Sequence, residues 1–308
     1  MISLRYHVVS LATVFLALAV GLVLGAGGVS DRLLGAMASK ADGLNGQVQQ
    51  LTAQRDALAA RQRADDEFAQ RVAPAAVRGV LQGQSVAVVT AGADGPTRDA
   101  VVELLRQAGA TVTGTVTLNT AVTDPARSDQ LRQLTGTLLP AGAQLPAAAD
   151  TGSLLGGLLS GVLTGPSGQA PVTGPQAEGV LNGLSSAGFT AAGPPPGSAG
   201  LVLVLTGGAF TGLDAGDGAA VVTRMAAQLD HAGRGAVLAG TASSADATGA
   251  VGVARADPTV TAALSTVDNV QTGAGRISTV LALREQVDGH AGRYGTATSA
   301  ADGAAPRT

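Results

Sequence analysis

The chain has 308 residues, enough for one globular domain plus appendages, and a formal charge of −3. The absence of cysteine excludes disulfides, thiolate metal sites and cysteine nucleophiles. An acidic balance and 2% aromatic residues leave neither the basic face nor the stacking platforms of nucleic-acid binders, so no nucleic-acid partner is expected.

Val8 to Gly28 carry no charge, between Arg5 on one side and Asp31 and Arg32 on the other. At a rise of about 1.5 Å per residue this run spans roughly 30 Å, the thickness of a hydrocarbon core, and predicts one transmembrane helix with membrane lipid as its partner. Gly25, Ala26 and Gly27 offer a signal-cleavage alternative, but the run is longer than the roughly 7 to 15 residues of a signal-peptide core. Positive charge is nearly balanced across it, so orientation rests on the short head staying in the cytoplasm and the remainder being exported. Thr13, Ala17, Gly21 and Gly25 recur every fourth residue, a stripe of small side chains along which two copies of the helix could approach.

From Asp31 the sequence becomes helix-favouring and polar, with no proline before Pro74. Leu34, Ala41 and Val48 fall at a positions and Met37, Leu44, Leu51 and Leu58 at d positions of a heptad repeat, after which Arg55, Gln62 and Asp65 dilute the seam. A short parallel coiled coil is predicted, with a homodimer favoured and a trimer left open. An amphipathic helix lying on its own domain is the alternative. The acidic run Asp65, Asp66, Glu67 reads as a solvated helix face.

The globular part opens with the apolar strand Ser85 to Thr90, the turn Gly92 to Pro96 and a helix from Thr97 to Ala108. Further strands are expected at Thr111 to Leu118, Leu201 to Thr206 and Ala236 to Ala239. Helices are expected near Ser128 to Leu138, Ser153 to Leu163, Gln176 to Ala187 and Gly216 to His231. Continuous apolar strands are those of a sheet covered on both faces, so the domain is read as α/β, Rossmann-like or flavodoxin-like, with a mostly parallel sheet. Gly165 to Pro175 and Gly193 to Gly200 read as mobile surface segments, and the low-complexity tail after Tyr294 as disordered. The division is therefore 1–30 cytoplasmic tip and anchor, 31–73 coiled coil, 74–294 extracytoplasmic α/β domain, 295–308 tail.

No catalytic residues emerge. The turn after the first strand lacks GxGxxG and a P-loop lysine, so it reads as a tight turn and not a phosphate cradle. No G-x-S-x-G elbow occurs, and His7, His231 and His290 are scattered without ligand spacing, as are the three methionines. Asp214 and Asp217 flank a helix start, where capping accounts for both. The best candidate patch is Thr266-Val267-Asp268-Asn269 before the last helix, with Thr266, Asp268 and Asn269 as its polar members; a helix-initiating turn is the alternative.

Two blocks carry a family resemblance: MISLRYHVVSLATVFLALAVGLVLG at 1–25 and STVDNVQTGAGRISTVLAL at 265–283, the latter followed by Gly289 and Gly292-Arg293-Tyr294-Gly295. They closely resemble the actinobacterial MctB family, and the shared architecture extends the likeness over nearly the whole chain. The resemblance implies an envelope protein of copper transport or tolerance, described as channel-forming, with copper as the ion handled but no ligand set to transfer; the residues themselves point to no enzyme and no other cofactor. It also implies kinship with SteB-type proteins of the same family, linked to cell separation with a membrane partner and to control of a peptidoglycan hydrolase. On physical grounds a scaffold is preferred to a pore, because a pore needs several helices or a closed barrel.

Overall fold

The computed structural model describes residues 4–26, 29–140, 145–147, 150–164 and 172–306, and the side chains of these except residues 4, 5, 24, 26 and 29–35. The chain divides into two compact units, residues 1–64 and 65–308.

The first unit is helical. Helix α1 (Leu4–Ala26) holds a stretch, Tyr6–Val23, long and apolar enough to cross a membrane by length and composition. Helix α2 (Val29–Ala76) follows and supplies the start of the second unit. It runs past Val72 and carries Pro74 in its final turn, so the proline lies close to the helix end and does not stop it.

The second unit is built on six parallel strands: β1 (Ser85–Ala91), β2 (Thr111–Leu118), β3 (Leu201–Thr206), β4 (Ala236–Gly240), β5 (Ser265–Val267) and β6 (Arg293–Tyr294). Their order is β2-β1-β3-β4-β5-β6, the flavodoxin-like order extended by one strand. The connecting helices are α3 (Gly95–Gln107), α4 (Ser128–Thr137), α5 (Thr151–Leu163), α6 (Gly174–Ser186), α7 (Ala215–Ala232), α8 (Ala250–Ala256), α9 (Pro258–Thr261) and α10 (Gly273–Val287). The mixed α/β fold with a parallel sheet matches the sequence reading.

Alternation along each strand explains the layers. Ala87, Val89, Val202, Val204 and Leu238 face a core shared with Leu155, Leu158 and Leu159 of α5 and Val222, Met225 and Leu229 of α7. Val86, Val88, Leu203, Leu205 and Val237 face a second core, shared with Val101 and Leu105 of α3, Val280 and Leu283 of α10, and Ala73, Val77 and Leu81 at and after the end of α2. Each fully buried side chain of this size contributes about 1.5–3 kcal/mol relative to exposure.

One connection is unusual. Helices α3 and α10 share the same core and therefore the same face of the sheet, yet β2 lies to one side of β1 while β6 lies to the opposite side of β5. With all strands parallel, β1-α3-β2 and β5-α10-β6 must be crossovers of opposite hand. About 98% of such connections are right-handed, so one of the two is of a rare kind. The β5-α10-β6 unit is the one that departs from the remaining connections, since α7 makes its step from β3 to β4 in the same direction but on the other face.

Both sheet edges are covered. Residues 189–197 lie along β2, with Ala191 N–H donating to Thr117 C=O and Gly197 N–H to Thr113 C=O. The segment Gly193 to Gly200, expected to be mobile, is thus pinned to an edge strand, where its prolines block further pairing. The expected segment 165–171 lies outside the described residues. At the opposite edge the tail is ordered through residue 306: Gly295 N–H donates to Gly303 C=O, Asp302 N–H to Arg293 C=O, and Ser278 Oγ to Ala304 C=O. This corrects the expectation of disorder. Low complexity did not prevent the backbone from finding partners along β6 and α10.

Candidate functional site

An open parallel sheet offers ligands a crevice beyond the carboxyl ends of its strands, where the strand order reverses. Here that point lies between β1 and β3. It is closed by backbone: Gly92 bridges Thr206, and a Cβ on Gly207 would lie 2.7 Å from the Gly92 carbonyl oxygen. What remains beside it is a cavity of about 70 Å³ lined chiefly by Ala91, Leu118, Val122, Phe210 and Val222. Thr90 and Thr206 each bury an unpartnered hydroxyl nearby, but they point to opposite faces of the sheet and do not converge.

Helix N-termini at this rim are occupied from within. Asp94 caps α3, its Oδ1 accepting from Thr97 N–H at 2.7 Å, and this bond holds its carboxyl below the usual carboxylate range. Asp150 caps α5 through Ser153 N–H. Each carboxylate stands where a phosphate would otherwise bind. At α7 the capping expectation holds only in part: Asp217 lies in the first turn, whereas Asp214 occupies the N-cap position without a side-chain cap bond. Asp217, Asp150, Arg132 and Arg224 instead line a surface depression of about 290 Å³.

The patch Thr266, Asp268, Asn269 is turned inward. Asp268 and Arg255 form an ion pair at 2.7 Å with side chains 2% and 3% exposed. Asp268 also accepts from Thr296 N–H at 2.7 Å, while Arg255 donates to Thr266 Oγ1, Tyr294 C=O and Ser299 Oγ. Burial pulls the Arg255 pKa down and Asp268 opposes that shift. Such a pair is costly to bury and very costly to break, because the survivor is left charged and desolvated. Asn269 directs its carbonyl to Thr272 N–H and Oγ1 in the turn that starts α10.

The neighbouring residues extend the same network. Tyr294 O–H donates to Glu285 at 2.6 Å, and burial together with that acceptor raises its pKa above the ordinary phenol value. Gln286 donates to Ser265 Oγ and Ala263 C=O. The residues that carry the family resemblance at 265–295 therefore assemble the crossover of unusual hand, fixing β5, α8, α10, the two-residue β6 and the tail together.

Sequence reasoning missed two members of this corner. Arg255 sits far from Asp268 in sequence and nothing near it marks it as special. Asp66, read as part of a solvated face, accepts from Gly273 N–H, the first of α10, beside the N-cap that Thr272 Oγ1 makes to Gly275 N–H. Gly273 permits this approach: a Cβ there would lie 2.8 Å from Gln70 N and 3.0 Å from Ala69 Cβ.

In the first unit, Thr13, Ala17, Gly21 and Gly25 lie exposed on α1, with Thr13 Oγ1 donating to Val9 C=O and nothing packed against either glycine. Met37, Ala41, Leu44, Val48, Leu51 and Leu58 are all exposed on α2; the Leu34 side chain lies outside the described ones. Among the described residues no cluster of three or more His, Cys, Asp or Glu is arranged to hold a metal ion. His290 borders a broad depression with Glu285 and Asp288, whose carboxylates are engaged by Tyr294 and Arg284.

Residues 1–305 match the model of a family described as "Copper transport outer membrane protein, MctB". A Mycobacterium tuberculosis protein named copper transporter MctB is 41% identical over 304 residues, covering 96% of each chain, as is one from Mycobacterium bovis. A Mycobacterium leprae protein of the same name is 39% identical over 306 residues. With a match that covers residues 1–305, from the apolar helix through the β5-α10-β6 corner, this chain belongs to the MctB family.

Proposed function

We propose that this chain is a non-enzymatic, membrane-anchored protein of the cell envelope that serves copper transport or homeostasis by holding an extracytoplasmic head on a self-pairing stalk. The observation that carries this reading is the contrast in exposure between the two units: the head fills its own ligand crevice, whereas α1 and α2 leave long apolar faces uncovered. Anchoring is supported by Tyr6–Val23, and the copper role by the name given to the mycobacterial relatives. In this reading residues 1–30 form the tip and anchor, 31–73 the coiled coil and 74 onward the head. Copper is cargo of the assembly, and lipid and a second copy are the chain's partners.

A pore made by one copy is disfavoured, because among the described residues a single membrane-length apolar helix cannot enclose a path and the six strands are covered by helices on both faces. A second reading, a scaffold for cell separation acting with a membrane partner and a peptidoglycan hydrolase, is favoured by the same exposed stalk. Deleting the gene separates the two. Copper sensitivity and raised cell-associated copper in normally separated cells support the first reading; chained cells with unchanged copper content reject it in favour of the second.

A further inference from the structure

We propose that α2 forms a two-stranded, parallel, in-register seam with a second copy of this chain, and that the seam forks between Arg55 and Ala69, where each helix gives the same column of residues to its own head. The proposal rests on the self-pairing reading above and adds its strand number and its end point.

Three observations argue for a second copy along Met37 to Leu58. The exposed apolar residues repeat every seven positions, so on a straight helix their stripe slips by about 20° per heptad; a supercoiling helix follows that slip and a flat surface does not. Met37, Leu44, Val48, Leu51 and Leu58 are 55–65% exposed. Covering them and Ala41 in two copies removes roughly 1,200 Å², the lower end of a stable interface before flanking positions add to it. Finally, Arg55 at an a position is bonded to Asp56 of its own helix at 2.7 Å, so two facing copies present neutral pairs and not two bare cations.

The fork follows from what comes next in the same columns. Arg55 and Gln62 are successive a residues and Asp65 the following d residue. Polar side chains at such positions fix register and restrict strand number at a cost in stability. The next a residue, Ala69, is already taken: Gly273 of α10 packs against it, and Asp66 one turn earlier accepts from Gly273 N–H. A partner strand has no place there. Val72, the next d residue, stays 39% exposed beside the docked column.

The native chain has no cysteine, so single cysteines in the full-length membrane protein report one position each. Under a mild oxidant, Leu51→Cys is expected to link most of the protein as a dimer, and Val72→Cys at least tenfold more slowly although it reacts readily with a maleimide. Arg55→Leu is expected to admit species larger than a dimer by sedimentation in detergent. Val72→Cys linking as fast as Leu51→Cys would overturn the fork and leave self-pairing standing. No link at either position would overturn self-pairing as well. Unchanged stoichiometry in Arg55→Leu would remove Arg55 as the determinant of strand number.

Discussion

The carboxyl rim of the head and the exposed stripe of the stalk treat polar and apolar groups in opposite ways. At the rim, charged groups are drawn inward and satisfied: Asp94 and Asp150 cap helices, and Asp268 and Arg255 share a buried pair with further bonds to Thr266, Tyr294, Thr296, Ala297 and Ser299. Along α2 from Met37 to Leu58, five large apolar side chains are exposed among the described residues. A fold that usually carries a cofactor in its crevice has here used the crevice for its own structure, and the surface left incomplete is on the helix that leads to it. The difference is what supports the proposal that α1 and α2 carry the chain's interactions, and it gives the corner at 265–295 a structural role.

The contrast is tested hardest at Asp268. Asp268→Ala leaves Arg255 charged and desolvated and is expected to destabilise the head by about 3–5 kcal/mol in denaturant unfolding. Replacing both, as Asp268→Leu with Arg255→Met, is expected to recover much of that loss. Full stability in the single variant would mean that the corner is not what holds the unusual crossover. On the stalk, Leu44→Asp with Leu51→Asp is expected to weaken pairing at least a hundredfold, about 3 kcal/mol, without moving the head's unfolding midpoint. Coupled loss of both would erase the distinction between the two regions.

Asp66→Ala probes the bond from α2 to the first N–H of α10 and is expected to cost about 0.5–2 kcal/mol, the range for a lost side-chain partner at a helix start, with pairing intact. The smallest effect is expected at Asp230, whose carboxylate accepts from Ala236 N–H and whose pKa burial raises. A buried acid with a raised pKa weakens the folded state as pH climbs through that value. The advantage of Asp230→Asn over the native chain should therefore grow as pH rises above the ordinary carboxylate value of 3.8 and then level off; an advantage that shrinks as pH rises would show that the hydrogen bond from Ala236 outweighs burial.

Where side-chain chemistry is repetitive, the sequence was legible. The runs at β1, β3 and β4 are apolar because both faces of the sheet are covered, and such runs read as strands without further help. The helix α2 was equally visible, and the pairing that its heptads suggest is the proposal above. By contrast β5 and β6 span three and two residues and contain Ser265, Thr266 and Arg293, so pairing across the sheet and not local preference makes them strands. The bond from Gly273 to Asp66 joins residues 207 positions apart, and no local pattern distinguishes that carboxylate from its neighbours. The candidate patch was found through its polarity and its place before α10, but its burial depended on Arg255 and on a tail whose composition suggested disorder.

Cell-associated copper in a strain lacking this chain, complemented in parallel with the native gene and with Leu44→Asp/Leu51→Asp, tests the central claim most directly. The account predicts that the native gene restores low copper content and that the stalk variant, present in the membrane with a folded head, does not. Full restoration by the stalk variant would contradict it.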